Sequence, residues 1–160
     1  MSRWTTVCVL MACFLSAAAL PASAGTGWNS YANARFGYSI CYPAGLLEPA
    51  PESDNGDGRT FTGAQGAKLA VWGNWNVLSS SAKEARAVDL ARLRQSGYEV
   101  TYNVMKPGWY VLSGTGTHGI VYLKSLIGKE KQVTFELRYP AAEAAHWNPV
   151  SAHLSQCLAG

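Results

Sequence analysis

The sequence is poor in charge, in histidine and in cysteine, and each shortage removes a class of function. Charged residues make up 14% of the 160-residue chain, with 13 Lys and Arg against 10 Asp and Glu and no basic run. Such a balance supplies no basic stripe for nucleic acid and no polybasic segment for an anionic membrane surface. The three histidines are His118, His146 and His153. The last two are too far apart for the i, i+4 pair of helical metal ligands, so no metal site is read from them, and no motif calls for a cofactor. Cysteine never occurs as C-x-x-C, which argues against a redox or zinc pair. Long apolar runs are absent except near the start of the chain, so no transmembrane segment is expected downstream.

That one apolar run sets the expected compartment. Arg3 provides a positive start, Val7 to Leu20 an apolar stretch, and Ala22-Ser23-Ala24 a small-residue cleavage site. Residues 1–24 therefore read as a secretory signal peptide, with residues 25–160 as the exported single domain beginning at Gly25. Lipidation at Cys13 is disfavoured by the bulky Met11. Cleavage removes Cys8 and Cys13 and leaves Cys41 and Cys157, which an oxidising compartment would join. The expected localisation is periplasmic or secreted.

Hydrophobic periodicity predicts an α+β fold. Phe36 to Tyr42 alternates with period two and stops at Pro43, a strand whose Phe36, Tyr38, Ile40 and Tyr42 share one face while Cys41 points to the other. The preceding residues, with Trp28 and Tyr31, read as an exposed leader. Glu48 to Arg59 is rich in Pro, Asp, Asn and Gly and reads as a loop, followed by strands at 59–62 and 68–77. Ser81-Ala-Lys-Glu84 is a capping box opening a helix that stops at Gly97. Four strands follow around 98–104, 109–113, 120–126 and 133–139, joined by short connections as in an antiparallel meander. Asn148 as N-cap and Pro149 at the first helical position predict a final helix, with Val150, His153, Leu154, Cys157 and Leu158 inward.

This order, with the strand Phe36-Gly-Tyr-Ser-Ile-Cys-Tyr-Pro43 near its start, the capped helix, the meander and Asn148-Pro149-Val150 in the final helix, resembles the PsbP-like αβα sandwich family. The resemblance implies a central antiparallel sheet between helices, as in accessory subunits of membrane complexes and in exported bacterial proteins of unassigned activity. It implies no catalytic residues and no metal ligands.

Several residue groups invite a functional reading, each beside a plainer one. Trp72, Asn74 and Asn76 would share one strand face, an aromatic plane beside two amides, suited to a glycan or a peptide backbone. Trp75 would face the other way with Leu69, Val71 and Val77. The plainer reading is that a helix covers Trp72. His118, in Gly114-Thr-Gly-Thr-His-Gly119, could meet a ligand or could be an exposed loop residue. Ser53-Asp-Asn-Gly-Asp-Gly58 has calcium-loop chemistry but lacks the first aspartate and the final glutamate, so a turn is the better reading. A triad of Ser79, Ser80 or Ser81 with His118 and Asp89 can be written without any nucleophile-elbow pattern. The expectation is a non-catalytic binding or accessory module of the cell envelope, an inhibitor or immunity protein in its sharpest form. A small periplasmic hydrolase is the alternative, and a histidine within reach of a serine in a cleft would favour it. The sequence names no partner and no oligomeric state.

Overall fold

The computed structural model describes residues 27–160. The expected signal peptide, its cleavage site, Gly25, Cys8 and Cys13 lie outside the described residues. Within them the elements run β1 (Trp28–Asn33), β2 (Tyr38–Pro43), β3 (Leu47–Glu52), β4 (Gly58–Gly63), β5 (Lys68–Trp75), α1 (Ala82–Gln95), β6 (Tyr98–Lys106), β7 (Trp109–Gly116), β8 (Gly119–Ile127), β9 (Lys131–Tyr139) and α2 (Ala144–Cys157). Seven strands form one antiparallel sheet in the order β3-β4-β5-β9-β8-β7-β6, while β1 and β2 pair only with each other. The meander β6 to β9 closes back on β5, so the sequence-distant strands β5 and β9 become neighbours at the centre.

Period-two alternation decides what each helix covers. Val121 and Leu123 of β8 join Tyr110, Leu112 and the α1 residue Leu93 in one buried cluster. Ile120 and Tyr122, the alternate positions, pack against Phe135, Leu137 and the α2 residues Trp147 and Leu154 in the other. Successive strand side chains point to opposite faces, so the two clusters lie on opposite sides of the sheet. The α2 side is shared with the hairpin β1–β2: Tyr42 packs on Phe61 at 4.6 Å between ring centroids, and the Tyr38 hydroxyl donates to the Val71 carbonyl at 3.3 Å. One layer is thus part helix and part strand.

The helix caps follow the sequence. The Ser81 hydroxyl accepts from the Glu84 amide, and the Glu84 carboxylate accepts from the Ser81 amide at 2.8 Å. Gly97 just beyond α1 has φ +82, a left-handed conformation that glycine takes at no steric cost. Cys41 and Cys157 are joined as a disulfide with Cα atoms 5.9 Å apart. It fastens β2 to the end of α2.

Three expectations are corrected. The residues around Trp28 and Tyr31 are not an exposed leader but β1, held by full pairing with β2 from Trp28↔Pro43 to Asn33↔Tyr38. The first five residues of the predicted loop, Glu48 to Glu52, belong to β3; Pro49 and Pro51 hide it because proline cannot donate to a ladder, and they are tolerated because β3 is the sheet edge. Finally, α2 starts at Ala144, so Asn148 and Pro149 lie inside the helix. The missing Pro149 N–H frees only the Ala145 carbonyl, which belongs to an exposed residue, and the extra turn buries Trp147. Asn148 instead accepts from the Tyr139 hydroxyl at 2.8 Å.

Candidate functional site

The helix α1 lies over β6, β7 and β8, and among the described residues this leaves its side of the sheet open over β3, β4 and β5. The register places Thr60 and Thr62 of β4 and Ala70, Trp72 and Asn74 of β5 on that open face. Trp72 is half-buried, belongs to neither core cluster, and stands between two shallow clefts. One, of about 310 Å³, reaches Asp57, Thr60 and Ala70. The other, of about 270 Å³, lies between β5 and α1 and is lined by Asn74, Gln132, Thr134, Asp89 and Tyr110. An aromatic surface flanked by amides, hydroxyls and two carboxylates can stack on a flat partner and hydrogen-bond its edges.

Asn74 shares this face and is exposed, but Asn76 does not join it. The strand ends at Trp75, and Asn76 is 6% exposed with its amide fully occupied. Its Nδ2 donates to the carbonyls of Ser80 at 3.0 Å and Gly128 at 2.9 Å, while its Oδ1 accepts from the Ser80 amide at 2.8 Å and from Gln132 Nε2 at 3.1 Å. It is a clamp on the turn before α1. Asn76→Ala should therefore cost about 1–3 kcal/mol in chemical denaturation, because buried backbone partners lose their bonds. Trp75 turns to the other side and packs on Phe36 at 4.9 Å, aided by Gly73, where an added Cβ would lie 2.6 Å from the Phe36 ring. Val77, expected in the core, is 82% exposed.

The triad residues are not brought together. His118 is exposed at the tip of the tight β7–β8 turn, whereas Ser80 is tied through Asn76 to Gly128 at the other end of β8. That strand has nine residues, a span of about 25–30 Å. Asp89 is committed elsewhere: it accepts from the Tyr110 hydroxyl at 2.6 Å and from Arg92 at 2.9 Å. Arg92 also pairs with Glu136 at 2.8 Å, and Glu136 accepts from Arg138 at 2.6 Å. This partly exposed chain of charges fastens α1 to β7 and β9, and burial with the Asp89 charge pushes the Tyr110 hydroxyl pKa up. His153 packs tilted against Trp28 at 3.9 Å, and His146 meets Trp147 edge-on at 5.6 Å.

The Ser53–Gly58 segment is a self-satisfied turn. Ser53 donates to Asp57 Oδ1 at 2.6 Å, Asn55 donates to Asp57 Oδ2 at 2.9 Å, and Asn33 Nδ2 donates to the Gly56 carbonyl at 3.0 Å. The Ser53 bond, reinforced by Asn55 and the Arg35 charge, holds the Asp57 carboxyl below its usual range despite partial burial. A depressed folded pKa means that this carboxylate adds stability above the unfolded aspartate value of about 3.9 and loses it as pH falls through the folded value. The stability gap between the native protein and Asp57→Asn should accordingly narrow as pH is lowered through that range, measured by denaturant titration at each pH. Among the described residues, no cluster of three or more His, Cys, Asp or Glu is placed to hold a metal ion.

Comparison with known proteins bears on the fold. No family model and no curated protein matches the sequence. Eleven solved chains match in three dimensions, among them cyanobacterial PsbP from Synechocystis sp. PCC 6803. It aligns over 89% of this chain and 98% of its own with a TM-score of 0.61 at 12% identity. The fold is PsbP-like. At that identity the likeness is one of architecture, and the open half-sheet of this PsbP-like chain is described by its own residues.

The sequence did not point to a further concavity among the described residues. It holds about 700 Å³ at the end of the sheet where the turn before α1, the β6–β7 turn and the β8–β9 turn meet. Those three connections are far apart in the chain, so no local pattern marks the site. No helix of the described residues is long and apolar enough to cross a membrane.

Proposed function

We propose that this chain is an exported, non-catalytic binding or accessory module of the cell envelope, built as an αβα sandwich and working in the periplasm or outside the cell. An inhibitor or immunity protein is the sharpest version of that role. The observation that supports the reading is Trp72, half-buried on the part of the sheet that α1 leaves open, with Asn74, Gln132 and Thr134 within the adjoining cleft. This chemistry suits a glycan or an extended peptide backbone as partner. The hydrolase reading has less support, since each histidine packs or projects away from the serines before α1.

Trp72→Ala tests it. Affinity capture from an envelope extract should weaken by about 2 kcal/mol or more while the melting temperature stays nearly constant, as for a hot-spot aromatic. A core tryptophan would show the reverse, losing roughly 3–5 kcal/mol of stability on truncation. Capture that is unchanged in a folded Trp72→Ala protein would remove the open face from consideration.

A further inference from the structure

The end of the sheet around the 700 Å³ concavity carries an apolar display that nothing in the fold uses. Three of the six large hydrophobic side chains exposed among the described residues lie there: Val77 at 82%, Leu78 at 85% and Met105 at 41%. Val77 and Leu78 occupy the two corners of a β-turn closed by the Ser79 amide donating to the Asn76 carbonyl at 2.9 Å. Such corners ordinarily hold Gly, Asn, Asp or Pro. The turn is also held in shape, by the four hydrogen bonds of Asn76 and by Ser79 in the left-handed region at φ +51, uncommon for a residue with a side chain. Two aliphatic side chains are presented to solvent on a stiff mount.

The charges around this tip are of one kind where they line the concavity. Lys83 comes from the first turn of α1, Lys106 from the end of β6 and Lys129 from the β8–β9 turn, and no acidic residue of those described lines it. Glu84 stands next to Lys83 but is folded back onto Ser81 in the capping box, and Glu130 follows Lys129. An apolar tip ringed by cations matches a plane that is anionic at its surface and apolar about 5–10 Å below it.

We infer that the Asn76–Ser81 turn docks the protein on an anionic lipid bilayer, with Val77 and Leu78 entering the headgroup layer and Lys83, Lys106 and Lys129 meeting lipid phosphates. No basic run in the sequence announces this surface, because folding brings its cations together from three elements. The docking surface adjoins the Trp72 face without including Trp72.

Co-sedimentation with vesicles of equimolar phosphatidylglycerol and phosphatidylcholine tests the inference, with phosphatidylcholine vesicles as reference. All variants keep the same N-terminus, so its apolar residues contribute equally to each. The native protein should bind the anionic vesicles in preference, less so at high salt. Val77→Ser with Leu78→Ser should weaken this by about tenfold or more at an unchanged melting temperature. Lys83→Gln, Lys106→Gln and Lys129→Gln together should abolish the preference for anionic over neutral vesicles. Trp72→Ala should leave vesicle binding as it is, which separates this inference from the proposed glycan or peptide face. Absence of native binding to anionic vesicles, or equal binding by the Val77→Ser, Leu78→Ser protein, would overturn it. Retention on an acidic apolar peptide without affinity for vesicles would also overturn it, placing the tip in a protein groove.

Discussion

Reduction of the Cys41–Cys157 bond should lower the melting temperature on the order of 10–20 °C. The bond spans a sequence separation of 116, so it constrains nearly the whole folded chain when unfolded. A loop of that size is worth up to about 4–5 kcal/mol in the chain-entropy view, less where the reduced chain keeps structure. The native geometry adds a local reason. Cys157 ends α2, and beyond it Ala159 exchanges backbone hydrogen bonds with Ser39 of β2 at 2.9 and 3.0 Å. Without the disulfide, α2 is held by those bonds, by the packing of Trp147, Val150, Leu154 and Leu158, and by side-chain contacts such as Tyr139 with Asn148 and Trp28 with His153. Thermal scans with and without reductant read the effect. A peptide map should recover the Cys41 and Cys157 peptides joined before reduction and separate after it; free thiols at both positions in the exported protein would refute the bond and weaken the export argument with it.

Phe135→Ala should cost about 3–5 kcal/mol, the usual range for deleting a fully buried aromatic. Phe135 sits at the middle of β9, the strand between β5 and β8, and is 0% exposed. Its ring stacks on Tyr122 at 5.9 Å, and its register partner on β5 is the buried Val71. Neighbouring elements are held by hydrogen-bonded ladders on both sides, so the cavity cannot close by moving the strand. By contrast, Val88 is 70% exposed on α1, and Val88→Ala should change stability by no more than about 0.5 kcal/mol. Urea denaturation of both variants, with unchanged slope, measures the difference. A cost under about 1 kcal/mol at Phe135 would contradict the burial of this face of β9.

Much of the fold was legible because its signals are local. The meander strands alternate with period two, and that pattern alone assigns Val133, Phe135, Leu137 and Tyr139 to one face. The capping box at Ser81 and the glycine at 97 bracket α1 within a residue or two of its observed limits. By contrast, β3 was hidden by its two prolines, whose cost depends on whether the strand is central or at an edge. The start of α2 was misplaced because Asn148-Pro149 has the chemistry of a cap, while the gain from burying Trp147 one turn earlier is a property of the packed layer.

The candidate site divides in the same way. Alternation along β5 correctly put Trp72 and Asn74 on a common face, but extending it to Asn76 failed because the strand ends at Trp75 and the next residues turn. Whether a helix covers that face cannot be read from β5 at all. It depends on α1 lying over β6, β7 and β8, which is decided by contacts between Leu93 and residues far along the chain such as Tyr110 and Leu123.

By itself, the sequence determined the elements with strong short-range periodicity, the cap of α1 and the pairing of the two cysteines, since each depends on residue types at fixed spacing. Only the tertiary structure decided that the two layers cover different parts of the sheet, that Trp72 stays open, and that Val77 and Leu78 stand free among three lysines. Those outcomes follow from burying the largest apolar area across distant strands, a balance that no single segment carries.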